Sequence, residues 1–243
     1  MRRSHRVAVL ALIVAVAPLL AACREPPPPP PPPAAAPLSS REIARRAVLS
    51  AALDLFDKDP DTRTKEQVLV VVDEMLQPRR TYEPKDVPAT SRSADVASLP
   101  NGRKVLRPKI DLLAAETFDD WVAHATAATP APKDLTAKLP IEWFSEAGWD
   151  ALETRPKHSP WRAFYRRFPK SWGWVHLSDV GFSRSQDQAL LQESHSYDGC
   201  GCGSWLLLRR KDDRWVVIER KRTYIACGPP SDSESANITN TDR

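Results

Sequence analysis

The chain has 243 residues, 42% of them hydrophobic and 27% charged, which excludes a collagen-like or wholly disordered protein. Its formal net charge of +4 falls close to zero without Arg2, Arg3 and Arg6, which lie in a segment that we expect to be removed. A near-neutral mature chain carries no general electrostatic argument for nucleic acid as a partner.

The N-terminus predicts an export signal over residues 1–22. A basic stretch precedes an apolar run of fourteen residues, Val7 to Leu20, and a membrane span needs about 20 residues. A basic stretch followed by a short apolar run is typical of a secretory signal peptide.

The signal ends in Leu20-Ala21-Ala22-Cys23, which resembles the lipobox of bacterial lipoproteins. The resemblance implies that the chain is cut before Cys23 and that lipidation of this residue anchors the protein in the bacterial cell envelope. In Gram-negative members an Asp after the Cys favours the inner membrane. Arg24 stands there instead, which implies the outer membrane. An ordinary signal peptide cleaved after the alanines is the alternative.

Residues 23–38 are predicted to be a tether. Pro26 to Pro33 are eight consecutive prolines, which in the polyproline II conformation extend about 25 Å as a semi-rigid spacer. A ligand for a proline-reading domain is the alternative, and we favour the spacer.

We expect a single folded domain over residues 39–228. Ser39 and Glu42 fit a capping box, and helical spacing of apolar residues predicts a helix over 40–57. The β-branched run at 67–73 predicts a strand that is buried on both faces. Residues 78–110 contain five prolines and little periodicity, so we expect an irregular surface excursion there.

The middle of the chain predicts further helices. The pattern favours a helix over 112–127 and a short helix over 161–168, for which Pro160 is suited to the first turn. Residues 141–155, with three large aromatic side chains, are expected to form a strand or a short helix.

The C-terminal part predicts four antiparallel strands, at 174–183, 188–196, 203–210 and 215–224. Asp212-Asp213 has the chemistry of a tight hairpin turn between the last two strands. The expected fold class is therefore α+β, with the N-terminal helices packed on one face of a four-stranded antiparallel β-meander. The polar residues 229–243 predict a disordered tail.

Several motifs are similar to those of an uncharacterised group of secreted bacterial proteins. They are Leu69 to Asp73, Ser178-x-Val180-Gly181-Phe182, Cys200-Gly201-Cys202-Gly203 and Trp215. The resemblance supports secretion and the α+β fold but implies no reaction. The helix-on-sheet arrangement also resembles the cone-shaped fold of the nuclear transport factor and cystatin-like groups, by analogy of fold alone.

Three cysteines remain in the mature domain, and in an oxidising compartment one pair should form a disulfide. With the turn at Asp212-Asp213, Cys200 and Cys227 lie on one face within two residues of opposition, so this pair is favoured and leaves Cys202 free. Cys202–Cys227 is an alternative. A Cys200–Cys202 bridge, which the paired cysteines of the similar group suggest, is another.

Three further groups of residues are candidate sites. His195, Cys200, Cys202 and Cys227 could together bind zinc or Cu(I), and Trp172 and Trp174 could form an exposed ligand-stacking patch. Asp73, at the end of the buried strand, could act with a histidine in an enzyme. No catalytic motif is present and no cofactor is implied, so we favour a non-enzymatic protein that binds an envelope protein or a small ligand through the sheet face or the tryptophan cluster.

Overall fold

The computed structural model describes residues 38–58, 67–77, 95–124, 129–153 and 160–227. The predicted signal peptide, Cys23, the proline tether and the C-terminal tail lie outside these ranges. So do residues 78–94 of the predicted excursion.

The described residues form four helices and nine strands. The helices are α1 (Ser40–Leu53, continued by a 3₁₀ turn at Asp54–Lys58), α2 (Ala115–His124), α3 (Glu146–Glu153) and α4 (Pro160–Arg167). The strands are β1 (Leu69–Val72), β2 (Val96–Ser98), β3 (Lys104–Leu106), β4 (Ile141–Phe144), β5 (Trp174–Leu177), β6 (Gly181–Phe182), β7 (Gln188–Tyr197), β8 (Cys200–Lys211) and β9 (Arg214–Cys227).

Local signals account for the ends of the helices. The Ser39 hydroxyl accepts the backbone N–H of Glu42 at 3.2 Å, as the predicted capping box requires. The Glu42 carboxylate instead pairs with Arg45 and Arg46, one turn further along α1. Pro160 begins α4, at a position where the N–H that proline lacks would have no partner within the helix.

The main sheet is mixed and larger than the predicted four-stranded one. Its strand order is β4-β1-β5-β7-β8-β9, with β6 also paired to β7. β1 runs parallel to both β4 and β5, whereas the pairs from β5 through β7 and β8 to β9 are antiparallel. The protein is therefore α+β. Sequence analysis missed the two parallel pairings of β1, because the partner strands lie about 70 and 100 residues further along the chain.

Both faces of the sheet are covered, so the expectation of helices on one face was wrong. Alternate residues of β7 show the arrangement, because Ala189 and Leu191 join the core cluster that contains α1. Leu190, between them, joins the cluster that contains α2 and the β2–β3 hairpin. Helices α3 and α4 cover the same second face over β1, β4 and β5. Strand β1 is buried on both faces, as predicted.

Two predicted segments differ in detail. Residues 95–110 are not irregular throughout, because β2 and β3 pair there as a short antiparallel hairpin. The predicted strand at 174–183 is divided into β5 and β6, which pair with successive parts of β7. At the break, the Ser178 hydroxyl accepts both the backbone N–H of Gln192 and the indole N–H of Trp121, so the interruption of the strand is compensated.

Candidate functional site

The β8–β9 hairpin positions the cysteines. Its turn residues, Asp212 and Asp213, both have positive φ, 48° and 61°, and Lys211 pairs with Arg214 across the turn. Asp tolerates this left-handed conformation better than most residues, and two consecutive positive φ angles suit the right-handed twist of the strands. The predicted turn is thus the observed one.

Two register shifts then bring Cys200 and Cys227 together. From the turn alone, Cys200 would face Ile225. One irregularity between Leu207 and Leu208 and another between Gly203 and Ser204 each insert an extra residue into β9, so that Cys200 pairs directly with Cys227. The two residues form a disulfide with their Cα atoms 4.0 Å apart, which confirms the favoured pairing.

Removing this disulfide should have a moderate cost. In a Cys200→Ser/Cys227→Ser protein, we expect the free energy of unfolding to fall by about 2–3 kcal/mol, because the bridge restricts the unfolded chain across a separation of 27 residues. Urea unfolding of the full chain measures the change, with Cys202→Ser as the control. An equal loss in that control would contradict a specific role of the bridge.

Cys202 is a free thiol and contacts a histidine. It lies opposite His195 of β7, and its Sγ is 2.8 Å from His195 Nε2. The other ring nitrogen, Nδ1, is 3.3 Å from Oε2 of Glu193, whose side chain is fully buried. Arg220 of β9 completes the line, with Nη2 at 2.8 Å from Oε1 of Glu193. We call Cys202, His195, Glu193 and Arg220 the thiol cluster.

The charges of the thiol cluster influence its acids. Burial acts to raise the pKa of Glu193, but the hydrogen bond from His195 and the charge and hydrogen bonds of Arg220 outweigh it, and the pKa of this carboxyl lies below its usual value. Burial, and then the negative charge of Glu193, raise the pKa of the Cys202 thiol, which the charges of Arg220 and Arg222 only partly offset. The resting thiol is therefore protonated and neutral at pH 7.

The predicted four-ligand metal site is not assembled. Cys200 and Cys227 are joined to each other and so are not available as thiolates. Of the proposed ligands, His195 and Cys202 alone remain in contact. Among the described residues, no group of three or more His, Cys, Asp and Glu side chains is arranged to hold a metal ion.

The structure separates the two tryptophans of the predicted ligand patch. Trp172 packs on the α1 side, where its ring contacts Phe56 and His195. Trp174 packs on the opposite face, against Trp149. Alternation along a strand would place residues two apart on the same face. Trp172 precedes β5, however, and the chain enters the strand through Gly173, whose φ is 155°, so the two indoles join different core clusters.

Asp73 follows β1 as predicted, but its carboxylate pairs with the Lys133 ammonium at 3.2 Å. The backbone around it is tied to the neighbouring segment, since Ala131 N donates to Asp73 O at 2.8 Å. These contacts describe a surface ion pair at a strand end. The acid–base pair proposed for this residue has no support from them.

Sequence reasoning missed a second site, a groove of about 230 Å³ on the α2 face of the sheet. Trp205 of β8 and Gln192 of β7 are among its buried lining residues. Arg107 and Lys109, from the segment after β3, and Lys221 of β9 also line it. No carboxylate of the described residues forms an ion pair with Lys109 or Lys221. We call this the basic groove; the basic run at 220–222 was its signal in the sequence.

Comparisons with protein-family models, with curated proteins and with solved structures return no match for this chain. None of the helices in the described part of the chain has both the length and the apolar character that crossing a membrane requires. The case for a function therefore rests on the residues of the thiol cluster and the basic groove.

Proposed function

We propose that this protein is a lipid-anchored protein of the bacterial cell envelope, in the outer membrane, and that its folded domain binds a small anionic ligand in the basic groove. The anchor is Cys23, and the proline run holds the domain away from the bilayer. The domain's helix-on-sheet core is proposed to be a variant of the cystatin-like cone. Binding through a sheet face is a non-enzymatic role.

One observation carries the binding proposal. Three cationic residues, Lys109, Lys221 and Arg107, line one concave surface of the domain. The buried side chains of Trp205 and Gln192 line the same groove. Arg107 also donates to the backbone carbonyl of Leu113, which limits its freedom.

The groove's dimensions narrow the ligand class. A volume of about 230 Å³ is smaller than the roughly 300–1,000 Å³ of sites for drug-sized molecules. It suits a single phosphate- or carboxylate-bearing group, because a guanidinium fork and flexible ammonium groups both recognise the oxygens of such anions.

Inorganic phosphate and glycerol phosphate are the probes for this site. At constant ionic strength, each should raise the melting temperature of the full chain in a saturable way, because a ligand at one hundred times its Kd stabilises the fold by about 2.7 kcal/mol. The Lys109→Ala/Lys221→Ala protein should lose most of this shift. Stronger stabilisation by glycerol phosphate than by phosphate would indicate a lipid headgroup rather than the free anion.

A matched pair of distant cations gives the control. Arg162 and Lys211 are exposed and lie outside the basic groove, so the Arg162→Ala/Lys211→Ala protein loses the same charge but should retain the shift. If both double variants respond to phosphate like the unchanged protein, the stabilisation is a general salt effect and the proposal is wrong.

The anchor is tested separately. In cells, Cys23→Ala should abolish incorporation of a palmitate analogue and release the protein from membrane fractions, because the thiol that carries the lipid is gone. Cys202→Ser is the control and should remain labelled. Label retained in the Cys23→Ala protein would contradict lipidation at this residue.

A further inference from the structure

The thiol cluster lies on the face of the sheet opposite the basic groove, and the binding proposal makes no use of it. Glu193, His195 and Cys202 share this face because β7 presents alternate residues to it and Cys202 is the cross-strand neighbour of His195. The imidazole of His195 contacts both of the others, a fully buried carboxylate and a partly exposed thiol.

The hydrogen bonds assign the protons. Glu193 is held ionised by Arg220, and a carboxylate only accepts, so His195 Nδ1–H must be the donor to Oε2. The second ring nitrogen, Nε2, is then an acceptor. Cys202 Sγ lies 2.8 Å from Nε2 and 3.5 Å from Nδ1, so the thiol lies against the side of the ring, nearer to Nε2. A nucleophile within reach of a base that a third group orients is the general arrangement of an activated side-chain nucleophile.

Aromatic contacts fix the imidazole ring in this orientation. The ring stacks on Tyr197 with centroids 5.9 Å apart, and Trp172 and Phe56 contact it at 5.3 and 6.0 Å with their planes nearly perpendicular to it. The buried indole N–H of Trp172 has no hydrogen-bond partner among the described residues. A buried, unpaired donor beside the histidine is a second feature that an incoming acceptor could satisfy.

The thiol cannot easily react with the neighbouring disulfide. Cys200 is two residues away on the same strand, about 7 Å at 3.4 Å per residue, and Cys227 is a diagonal cross-strand neighbour at about 7–8 Å between Cα atoms. Cysteines at such separations are not bridged without backbone movement. A free thiol therefore persists beside a disulfide, and its reaction partner must come from outside the domain.

We propose that Cys202 is the nucleophile of a thiol–disulfide exchange site, with His195 as its general base and Glu193 and Arg220 as positioning residues. As His195 Nε2 takes the thiol proton, Cys202 Sγ attacks one sulfur of an external disulfide. A new S–S bond to Cys202 forms, the old S–S bond breaks, and the leaving thiolate takes the proton from His195. The step needs no other oxidant or reductant, because the external disulfide is reduced as Cys202 is oxidised.

The surroundings of the thiol indicate the kind of disulfide. Ile225, directly across the hairpin from Cys202, is 61% exposed, and Tyr197, next to His195 on the same face, is 40% exposed. A disulfide with an apolar or aromatic flank is thus the expected substrate class.

The experiment follows release of pyridinethione from a dipyridyl disulfide by the full chain carrying Cys23→Ala, so that Cys202 is its one free thiol. At pH 7 we expect His195→Gln to lower the second-order rate constant at least tenfold, within the range of general-base effects. Glu193→Gln should lower it by a smaller factor. His124→Gln, a histidine outside the thiol cluster, should react like the parent.

Two further readouts exclude a merely structural role. Below the pKa of the thiol, the rate of the His195→Gln protein should fall about tenfold per pH unit, because only free thiolate reacts, whereas the parent should depend less steeply on pH. Peptide mapping should find the adduct on Cys202 with Cys200–Cys227 intact.

Several results would overturn the proposal. The first is a rate constant for the parent that is no higher than that of the same thiol in the urea-unfolded chain. The second is that the parent and a folded His195→Gln protein have equal rates and equal pH slopes. The third is an adduct on Cys200 or Cys227. If His195→Gln does not fold, the Glu193→Gln rate and the comparison with the unfolded chain decide.

Discussion

Replacing Gly181 by alanine is expected to lower the free energy of unfolding by about 4 kcal/mol, although only one methyl group is added. A Cβ atom at this position would lie 2.4 Å from both Cβ and the backbone N of Trp121, and 2.5 Å from the carbonyl oxygen of Thr117. These are atoms of α2 that no rotamer change can move. The helix would have to separate from β6, which would also strain the bond from Phe182 N–H to Asp120 (2.7 Å).

Two variants test this explanation by chemical unfolding of the full chain. Gly199→Ala adds the same methyl group in open space. It should lower the free energy of unfolding by only about 1–2 kcal/mol, the cost of a positive φ at a non-glycine residue. Trp121→Phe/Gly181→Ala should show no rescue relative to Trp121→Phe, because the clash involves the helix backbone and Cβ rather than the indole. Rescue in this double variant, or equal losses at the two glycines, would contradict the close approach of α2 to β6.

Arg220→Met is expected to destabilise the protein by about 3 kcal/mol at pH 7. The substitution leaves the carboxylate of Glu193 fully buried without its cationic partner, and an uncompensated buried charge typically costs about 3–5 kcal/mol. Arg220 is itself 44% exposed, so solvent screening places the effect at the lower end. Arg222→Met, on the same strand and face, removes an equal charge that is not part of this pair and should cost less than about 0.5 kcal/mol.

The pH dependence of this effect has a defined sign. The pKa of Glu193 in the folded protein lies below its usual value of 4.5. The ionised carboxylate therefore contributes to stability at any pH above the pKa of the unfolded state, which is near that usual value. This contribution is lost as the pH falls through the pKa of the folded state. The difference between the parent and Arg220→Met should therefore be largest above about pH 5 and should shrink at lower pH. A constant difference across this range would show that Arg220 stabilises the fold by packing alone.

Short-range patterns account for the elements that sequence analysis predicted well. The Ser39 cap, Pro160 at the start of α4 and the Asp212-Asp213 turn each depend on residues within one turn of chain. The β-branched run at 69–72 also predicted a strand buried on both faces, because such a run has no polar side to expose. The pairing of Cys200 with Cys227 was within reach because a hairpin turn limits the register of its strands.

Other features depend on residues that are far apart in the chain. Irregularities near Gly203 and Leu207 complete the cysteine pairing, and nothing in the local alternation of β9 places them. Strand β1 pairs with β4 and β5 through long connections, and α3 and α4 cover a face of the sheet that sequence analysis left open. The entry of the chain into β5 through Gly173, whose φ is 155°, separates Trp172 from Trp174.

By itself, the sequence determined the α+β class, the identity of most helices and strands, the hairpin turn and the favoured disulfide, because each follows from local propensity, periodicity or turn chemistry. Only the tertiary structure decided the mixed sheet, the contacts of His195 with Cys202 and with Glu193, and the basic groove. Neighbours across a sheet are set by register, and a shift of one residue moves every side chain to the other face. The sites of this protein depend on that register, and register is a property of packed strands rather than of any one segment.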